Sequence, residues 1–312
     1  MVVMNFCDLC HRREAFFFRA YSGVKLCKQC FVKSIEDRTR ATISKYGMFK
    51  FDDKIALGVS GGKDSVSLLH ILAKIEREYP KAELLAITVD EGIKGYRDEA
   101  LRIAEENCRK LGVEHVTVSF RKLFGYTFDQ MVRRLKRKSE VRQTPCAFCG
   151  VMRRKALNVA AREIGADKLA TAHTLDDETQ TMLLNIFHGD VLRIAKEKPV
   201  TDEVHPKLVR RIKPLCEVPE KETALYAYVK GIKFQDTPCP YASEALRNDA
   251  RMILDGLEAK HPGIMFTIFN SVERIRPALE MLAKEEGLSE CIECGEPTTD
   301  KVCRTCQMRK LI

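Results

Sequence analysis

Residues 55–72, IALGVSGGKDSVSLLHIL, pass from an apolar run through a six-residue polar turn into a stretch with apolar residues at helical spacing. A strand that feeds straight into a helix through adjacent glycines has few places to sit in a fold. The glycines let backbone amides approach an anion, the helix start adds the positive end of its dipole, and the Ser60 and Ser65 hydroxyls can donate. Lys63 adds a point charge. The segment reads as a phosphate cradle formed by Ser60, Gly61, Gly62, Lys63, Asp64 and Ser65, with Gly58 near the strand end. Its spacing does not fit the GxxxxGK(S/T) of a Walker loop, which argues against a hydrolytic motor.

The surrounding pattern extends this unit. Apolar runs at 54–59, 84–89, 114–119 and 168–172 alternate with amphipathic stretches at 65–79, 96–111, 124–138, 151–164 and 176–187. That alternation predicts an α/β fold, a parallel sheet with helices on both faces. Beyond Pro199 the periodicity turns mainly helical, at 221–230, 244–257 and 266–286. The expected division is 1–34, 35–200, 201–286 and 287–312. Ligands of such sheets bind beyond the carboxyl ends of the strands, which draws in TVDEG at 88–92 and TAHTLDDE at 171–178. For the latter, Asp176 reads as a cap of the following helix and Asp177 as a first-turn carboxylate, with His173 in a supporting role. No run approaches the roughly 18 apolar residues of a membrane span, and MVVMNFCDLC does not resemble a secretory signal, so a cytoplasmic protein is expected.

A chain of 312 residues can bury a core without staples, and a reducing compartment gives disulfides no advantage, so its thirteen cysteines point to metal. Cys7-x2-Cys10 with Cys27-x2-Cys30, and Cys291-x2-Cys294 with Cys303-x2-Cys306, each read as a zinc ribbon or knuckle. Four thiolates on two tight turns close a tetrahedron around one ion, and binding then contributes folding energy. Cys108 falls in an expected helix and reads as core; Cys216 is unassigned. Cys146 and Cys149 lie in TPCAFCG and Cys239 in TPCPY, where the neighbouring prolines are expected to hold the backbone extended. Residue types alone leave a redox pair, a third zinc site and an iron-sulfur cluster open for these three.

Lys and Arg exceed Asp and Glu by nine, yet residues 121–162 alone hold twelve basic side chains against two acidic ones. One dense patch in an otherwise near-neutral chain favours a polyanion, with Arg133, Arg134, Lys136, Arg137 and Lys138 at its centre.

The SGGKDS turn resembles the SGGxDS signature of the PP-loop ATP pyrophosphatases, and TAHTLDDE is similar to the GHxxDD element of PP-loop tRNA-modifying enzymes, with Ala172 and Gln180 as departures. Together with PCAFCG, CPY and the flanking CxxC pairs, the whole chain resembles the TtuA/TtcA group of tRNA thiolation enzymes, and TtuA most. That resemblance implies an adenine nucleotide alpha hydrolase-like fold flanked by two zinc-finger modules. It implies ATP with Mg2+ at the loop and adenine near Val89, with Asp90 and Ala172 also lining the site. It further implies a [4Fe-4S] cluster on Cys146, Cys149 and Cys239, whose fourth iron site stays open to sulfur. Uridine C2 would be adenylated and then thiolated, with Asp177, Lys63 and Arg153 (or Lys155) as the catalytic side chains. The expected substrate is the T-loop uridine of tRNA, with the wobble uridine or a non-catalytic zinc and RNA binding role as alternatives. A small ubiquitin-like sulfur-carrier protein and a homodimer complete what the resemblance implies.

Overall fold

A computed structural model describes residues 5–137, 144–242, 246–282 and 287–312, so Lys138 lies outside the described residues. The chain opens with a hairpin of β1 (Phe17–Arg19) and β2 (Val24–Leu26) and then helix α1 (Lys28–Lys45). The central unit follows as β3 (Lys54–Gly58), α2 (Lys63–Glu76), β4 (Glu83–Asp90), α3 (Arg97–Leu111) and β5 (Glu114–Ser119). Next come α4 (Phe120–Phe124), α5 (Phe128–Leu135), α6 (Pro145–Glu163), β6 (Lys168–Ala170), α7 (Leu175–Phe187), α8 (Val191–Lys196) and β7 (Arg210–Ile212). The chain continues through α9 (Glu220–Lys230), α10 (Leu246–Lys260) and α11 (Ile264–Leu282) to the short strands β8 (Ser289–Glu290) and β9 (Pro297–Thr298) and helix α12 (Arg304–Lys310).

Five strands form one parallel sheet in the order β5-β4-β3-β6-β7. The connections run outward from β3 in one direction and then jump to β6 on its other side, so the switch lies at the carboxyl ends of β3 and β6. Side chains alternate across the sheet as period two requires. Ile55, Leu57 and Val59 join one core with α1, α2 and α3, while Ala56, Val89 and Leu169 join a second core with α5 and α6. Cys7, Leu26, Cys27 and Phe31 belong to the first core, so the N-terminal cysteine module is continuous with the main body. Among the described residues, no helix is long and apolar enough to cross a membrane.

The structure corrects three expectations. Residues 124–138 do not form one helix: Gly125, at φ +85°, ends α4, and a Thr127–Gln130 capping box starts α5. The prolines do not both hold the chain out of helix. Pro145 sits in the first turn of α6 behind the N-cap Thr144, where its fixed φ and missing N–H suit a helix start. A fifth strand, β7, escaped notice because two of its three residues are arginines and only its pairing with β6 makes it a strand.

Candidate active site

The loop after β3 is closed by its own side chains. The Ser60 N–H donates to Ser65 Oγ at 3.1 Å, the two hydroxyl oxygens lie 3.0 Å apart, and the Gly62 N–H donates to Ser60 Oγ at 3.3 Å. Gly61 holds φ +87°, and a Cβ there would come within 2.6 Å of the Ala100 carbonyl oxygen, so the loop is pressed onto the first turns of α3 and needs glycine. Arg97 on that helix donates to the Ser60 carbonyl at 2.8 Å. At the end of β4, Val89 is buried and the Asp90 carboxylate accepts the Gly92 N–H at 2.8 Å.

Across the switch point the carboxyl end of β6 delivers residues 171–178. Thr174, not Asp176, caps α7, and the Asp177 carboxylate completes the capping box by accepting the Thr174 N–H at 3.0 Å. The expected Asp176 cap is therefore corrected: a threonine hydroxyl two residues earlier reaches the free amides, and Asp176 turns toward the loop. There it accepts the Glu220 N–H at 2.6 Å, and burial pushes its carboxyl up to about 6. One Asp177 oxygen remains 3.8 Å from Arg247, while Thr171 Oγ1 and His173 Nδ1 lie 2.8 Å apart. Ala172 is half-buried against the first core.

Helix α9 closes the site in a way that no spacing announced. Lys63 Nζ donates to Asp64 at 3.0 Å and to Glu220 at 2.6 Å, Thr223 donates to Asp64, and Arg251 of α10 pairs with Glu220. Glu220, Thr223 and Arg251 are thus site residues missed by sequence reasoning: Glu220 and Thr223 lie 157 and 159 positions from the residues of the loop that they touch, and Arg251 reaches it only through Glu220. Two carboxylates thus hold Lys63 at the mouth of the loop.

The three remaining motif cysteines meet beside this cleft. Cys146 and Cys149 project from the first turns of α6, whose positive dipole end favours anionic sulfur. Cys146 Sγ donates to the Tyr241 carbonyl at 3.0 Å, and Cys239 joins the apolar cluster that contains Cys149. Tyr241 is pinned by its hydroxyl to Asp129 at 2.8 Å and by its ring to Phe128. Burial pushes the Cys149 thiol up to about 11, opposed by Arg153, whose guanidinium lies 3.4 Å from the sulfur. Cys108 and Cys216 are buried core residues, the first with its thiol raised to about 12 by burial.

Each terminal set does close around a single-ion space, its four ligand atoms mutually within 4.8 Å. The Cys10–Cys27 and Cys294–Cys303 sulfur separations of 3.9 and 3.6 Å bracket the edge of about 3.8 Å that follows from a tetrahedron with metal–sulfur bonds near 2.3 Å. Backbone amides draw the Cys10 and Cys291 thiols down to about 6, Arg12 acting chiefly on the first and Cys303 on the second. The C-terminal set docks on α6, where Lys155 donates to Cys294 at 3.1 Å and Arg162 forks onto Glu296.

Those contacts divide the basic segment. Arg153, Lys155 and Arg162 pair across the fold with Glu91, Cys294 and Glu296, whereas Arg133, Arg134, Lys136 and Arg137 stand exposed on α5 and just beyond it, Arg133 and Arg134 touching near neighbours at the Asp129 carbonyl and the Tyr126 hydroxyl, over a face that buries Phe128, Met131, Val132 and Leu135.

Three comparisons bear on this arrangement. The family described as PP-loop domain matches residues 33–255. The chain is 39% identical to the tRNA 2-thiolation protein NcsA of Haloferax volcanii, with 97% of each covered, and 33% identical to the cytoplasmic tRNA 2-thiolation protein 1 of Danio rerio, covering 96% of this chain and 86% of that one. It is similar over 99% of its length to a structure of the U34-tRNA thiolase NcsA from Methanococcus maripaludis with its [4Fe-4S] cluster, at TM-score 0.83 and 35% identity, covering 97% of that chain. A phosphate loop at the switch point, a three-thiol site beside it and matches along the whole chain agree: it belongs to the PP-loop family, among the tRNA 2-thiolation proteins.

Proposed function

We propose that this tRNA sulfurtransferase replaces the C2 oxygen of the wobble uridine, U34, with sulfur, using ATP to activate that oxygen. The observation that carries the reading is segment 235–241. Its Gln235 N–H donates to the Gly61 carbonyl at 2.8 Å, and four residues later Cys239 meets the Cys146/Cys149 side of the cleft. One short strip of chain thereby ties the nucleotide loop to the thiols, which is what activation and sulfur delivery on one base require.

The chemistry divides between the two ends of that strip. Uridine O2 attacks the α-phosphorus of ATP, the bond to pyrophosphate breaks, and the oxygen leaves as part of AMP when a sulfur nucleophile forms the new bond at C2. The amides and hydroxyls of residues 60–65 would take up the pyrophosphate charge, with Lys63 moving from Glu220 to phosphate. Asp64 and the half-buried Asp176 would meet Mg2+, which would relieve the cost of ionising Asp176 where it sits. Asp177, with one oxygen free of the capping box, would polarise the base, and Arg153 would balance charge at the sulfur site. Cys146, Cys149 and Cys239 would hold a [4Fe-4S] cluster, which would supply a site for inorganic sulfur. Zinc fits the two terminal sets, and the exposed Arg133, Arg134, Lys136 and Arg137 would guide tRNA by its phosphates.

The wobble position is preferred over the T-loop uridine expected above because the solved relative at 35% identity is described as a U34-tRNA thiolase. A small ubiquitin-like sulfur carrier, a homodimer and a cytoplasmic location belong to the same reading. The test is an anaerobic reaction of the iron-reconstituted protein with unmodified tRNA, ATP and sulfide, read by nucleoside mass spectrometry of nuclease fragments. The expected result is ATP-dependent 2-thiouridine in the anticodon fragment, lost in Cys239→Ala. Thiolation confined to the T-loop fragment would move the site, and no thiolated nucleoside with either sulfide or a thiocarboxylated carrier would overturn the reading.

A further inference from the structure

Between the nucleotide loop and the cysteine site lies a buried carboxylate that neither site uses directly. Glu91, just past β4, is 2% exposed. One of its oxygens accepts from Arg153 Nε at 2.8 Å, and the other lies 2.8 Å from Arg97 Nε. Each arginine has a second engagement, Arg97 with the Ser60 carbonyl of the loop at 2.8 Å and Arg153 with the Cys149 sulfur at 3.4 Å. The four contacts form one unbroken line from loop to thiol. The two bridges differ in quality. The Arg153 contact is an aligned hydrogen bond, whereas Glu91 Oε2 and Arg97 Nε, though close, are out of line and have no other hydrogen-bond partner. Two buried polar atoms left without a hydrogen bond are costly, and a small rotation of the carboxylate would satisfy them.

We propose that Glu91 is a positioning residue that links occupation of the nucleotide loop to the placement of Arg153 on Cys149, so that nucleotide and cluster tighten each other's binding. Phosphate in the loop fixes Ser60 and hence Arg97; Arg97 fixes the Glu91 carboxylate; Glu91 sets Arg153 against the sulfur. A ligand at either end orders the shared line, leaving less ordering for the second ligand to bear. Linkage makes the effect reciprocal. The proposal rests on the reading of Cys149 as a cluster ligand.

The test compares wild type with Glu91→Gln. Glutamine keeps one acceptor but turns an N–H toward the other arginine, so it cannot serve both. Calorimetric titration with a non-hydrolysable ATP analogue, on protein with and without reconstituted cluster, gives the ratio of the two dissociation constants. In wild type the cluster is expected to tighten nucleotide binding within the range typical of coupled sites, about 5–150-fold. In Glu91→Gln the ratio should fall to within about twofold of one, with iron content per chain unchanged. An undiminished ratio in the variant, or no tightening in wild type, overturns the proposal. Should Glu91→Gln fail to fold with two uncompensated arginines, the double variant Glu91→Gln/Arg97→Met removes one of them and carries the same expectation. If wild type takes up no cluster, the cluster reading fails by itself. The relay is then read on the free thiol, as the iodoacetamide alkylation rate of Cys149 with and without nucleotide, measured by peptide mass spectrometry. A nucleotide-dependent rate in wild type that is lost in the variant supports the relay, and equal nucleotide dependence in both overturns it.

Discussion

Gly61→Ala tests whether the nucleotide loop is held in shape by its seat on α3. At φ +87° an alanine costs about 1–2 kcal/mol in backbone strain. Its Cβ would also lie 2.6 Å from the Ala100 carbonyl oxygen and 2.9 Å from the Ala100 Cα. Both are backbone atoms of a helix, so no side-chain rotation relieves the clash, and overpacking of that kind adds about 1–3 kcal/mol. Alanine also reduces the entropy of the unfolded chain, an offset of about 0.4–1 kcal/mol. The expected net loss is about 2–4 kcal/mol, a shift of roughly 1 M in the urea midpoint. Gly62→Ala is the internal control. Gly62 has φ −78°, and its added Cβ would meet only the Ser60 hydroxyl, at 3.4 Å, so the loss should stay below about 1 kcal/mol. Nucleotide binding should weaken in both, because both crowd the amides that face phosphate. Urea unfolding followed by circular dichroism reads the first effect and calorimetry the second. If Gly61→Ala unfolds within about 0.5 kcal/mol of wild type, or Gly62→Ala costs as much as Gly61→Ala, the account of the seat is wrong.

Two further outcomes follow from the site. Burial raises the Asp176 carboxyl from its ordinary 3.8 to about 6 in the folded state only, so ionised Asp176 costs stability above that value, and the cost fades as pH falls toward 4. Asp176→Asn should therefore stabilise the nucleotide-free protein by about 1–2 kcal/mol at pH 7.5, lose that advantage by about pH 4 and bind Mg2+-ATP more weakly; urea melts that show no stabilisation at pH 7.5 would refute the assignment. Cys27→Ser and Cys291→Ser should each lose one metal per chain by elemental analysis, but with unequal effects. Cys27 belongs to the main core and Cys291 to a small separate cluster, so the first should lower the melting temperature far more than the second.

The legible part of the site was the part written in consecutive residues. The loop from Ser60 to Ser65 and both four-cysteine sets lie where local spacing put them, because a turn flanked by a strand and a helix, or two short turns carrying thiols, is specified within a few residues of chain. Local rules misled where two of them competed. Thr174, Asp176 and Asp177 all suit the start of a helix, and which one caps α7 depends on which is drawn toward Glu220. Pro145 could hold its neighbours extended or start a helix, and it starts α6 behind the Thr144 cap.

The sequence by itself determined the alternation of strand and helix, the phosphate loop, the single-ion thiol sets and a dense basic segment. Each depends on periodicity or on neighbours a few positions apart, which every chain of this composition must satisfy as it forms local structure. Only the tertiary structure decided what surrounds the reacting groups. Glu220 reaches Lys63 of the loop from α9 and is itself paired with Arg251 of α10, Cys239 comes to Cys149 from a distant segment, and Glu91 bridges arginines from two helices. It also turned Arg153, Lys155 and Arg162 from apparent members of a nucleic-acid patch into internal partners. Charge pairing across such separations is settled by which helices dock side by side, and that is fixed by burial of apolar faces rather than by the charges themselves.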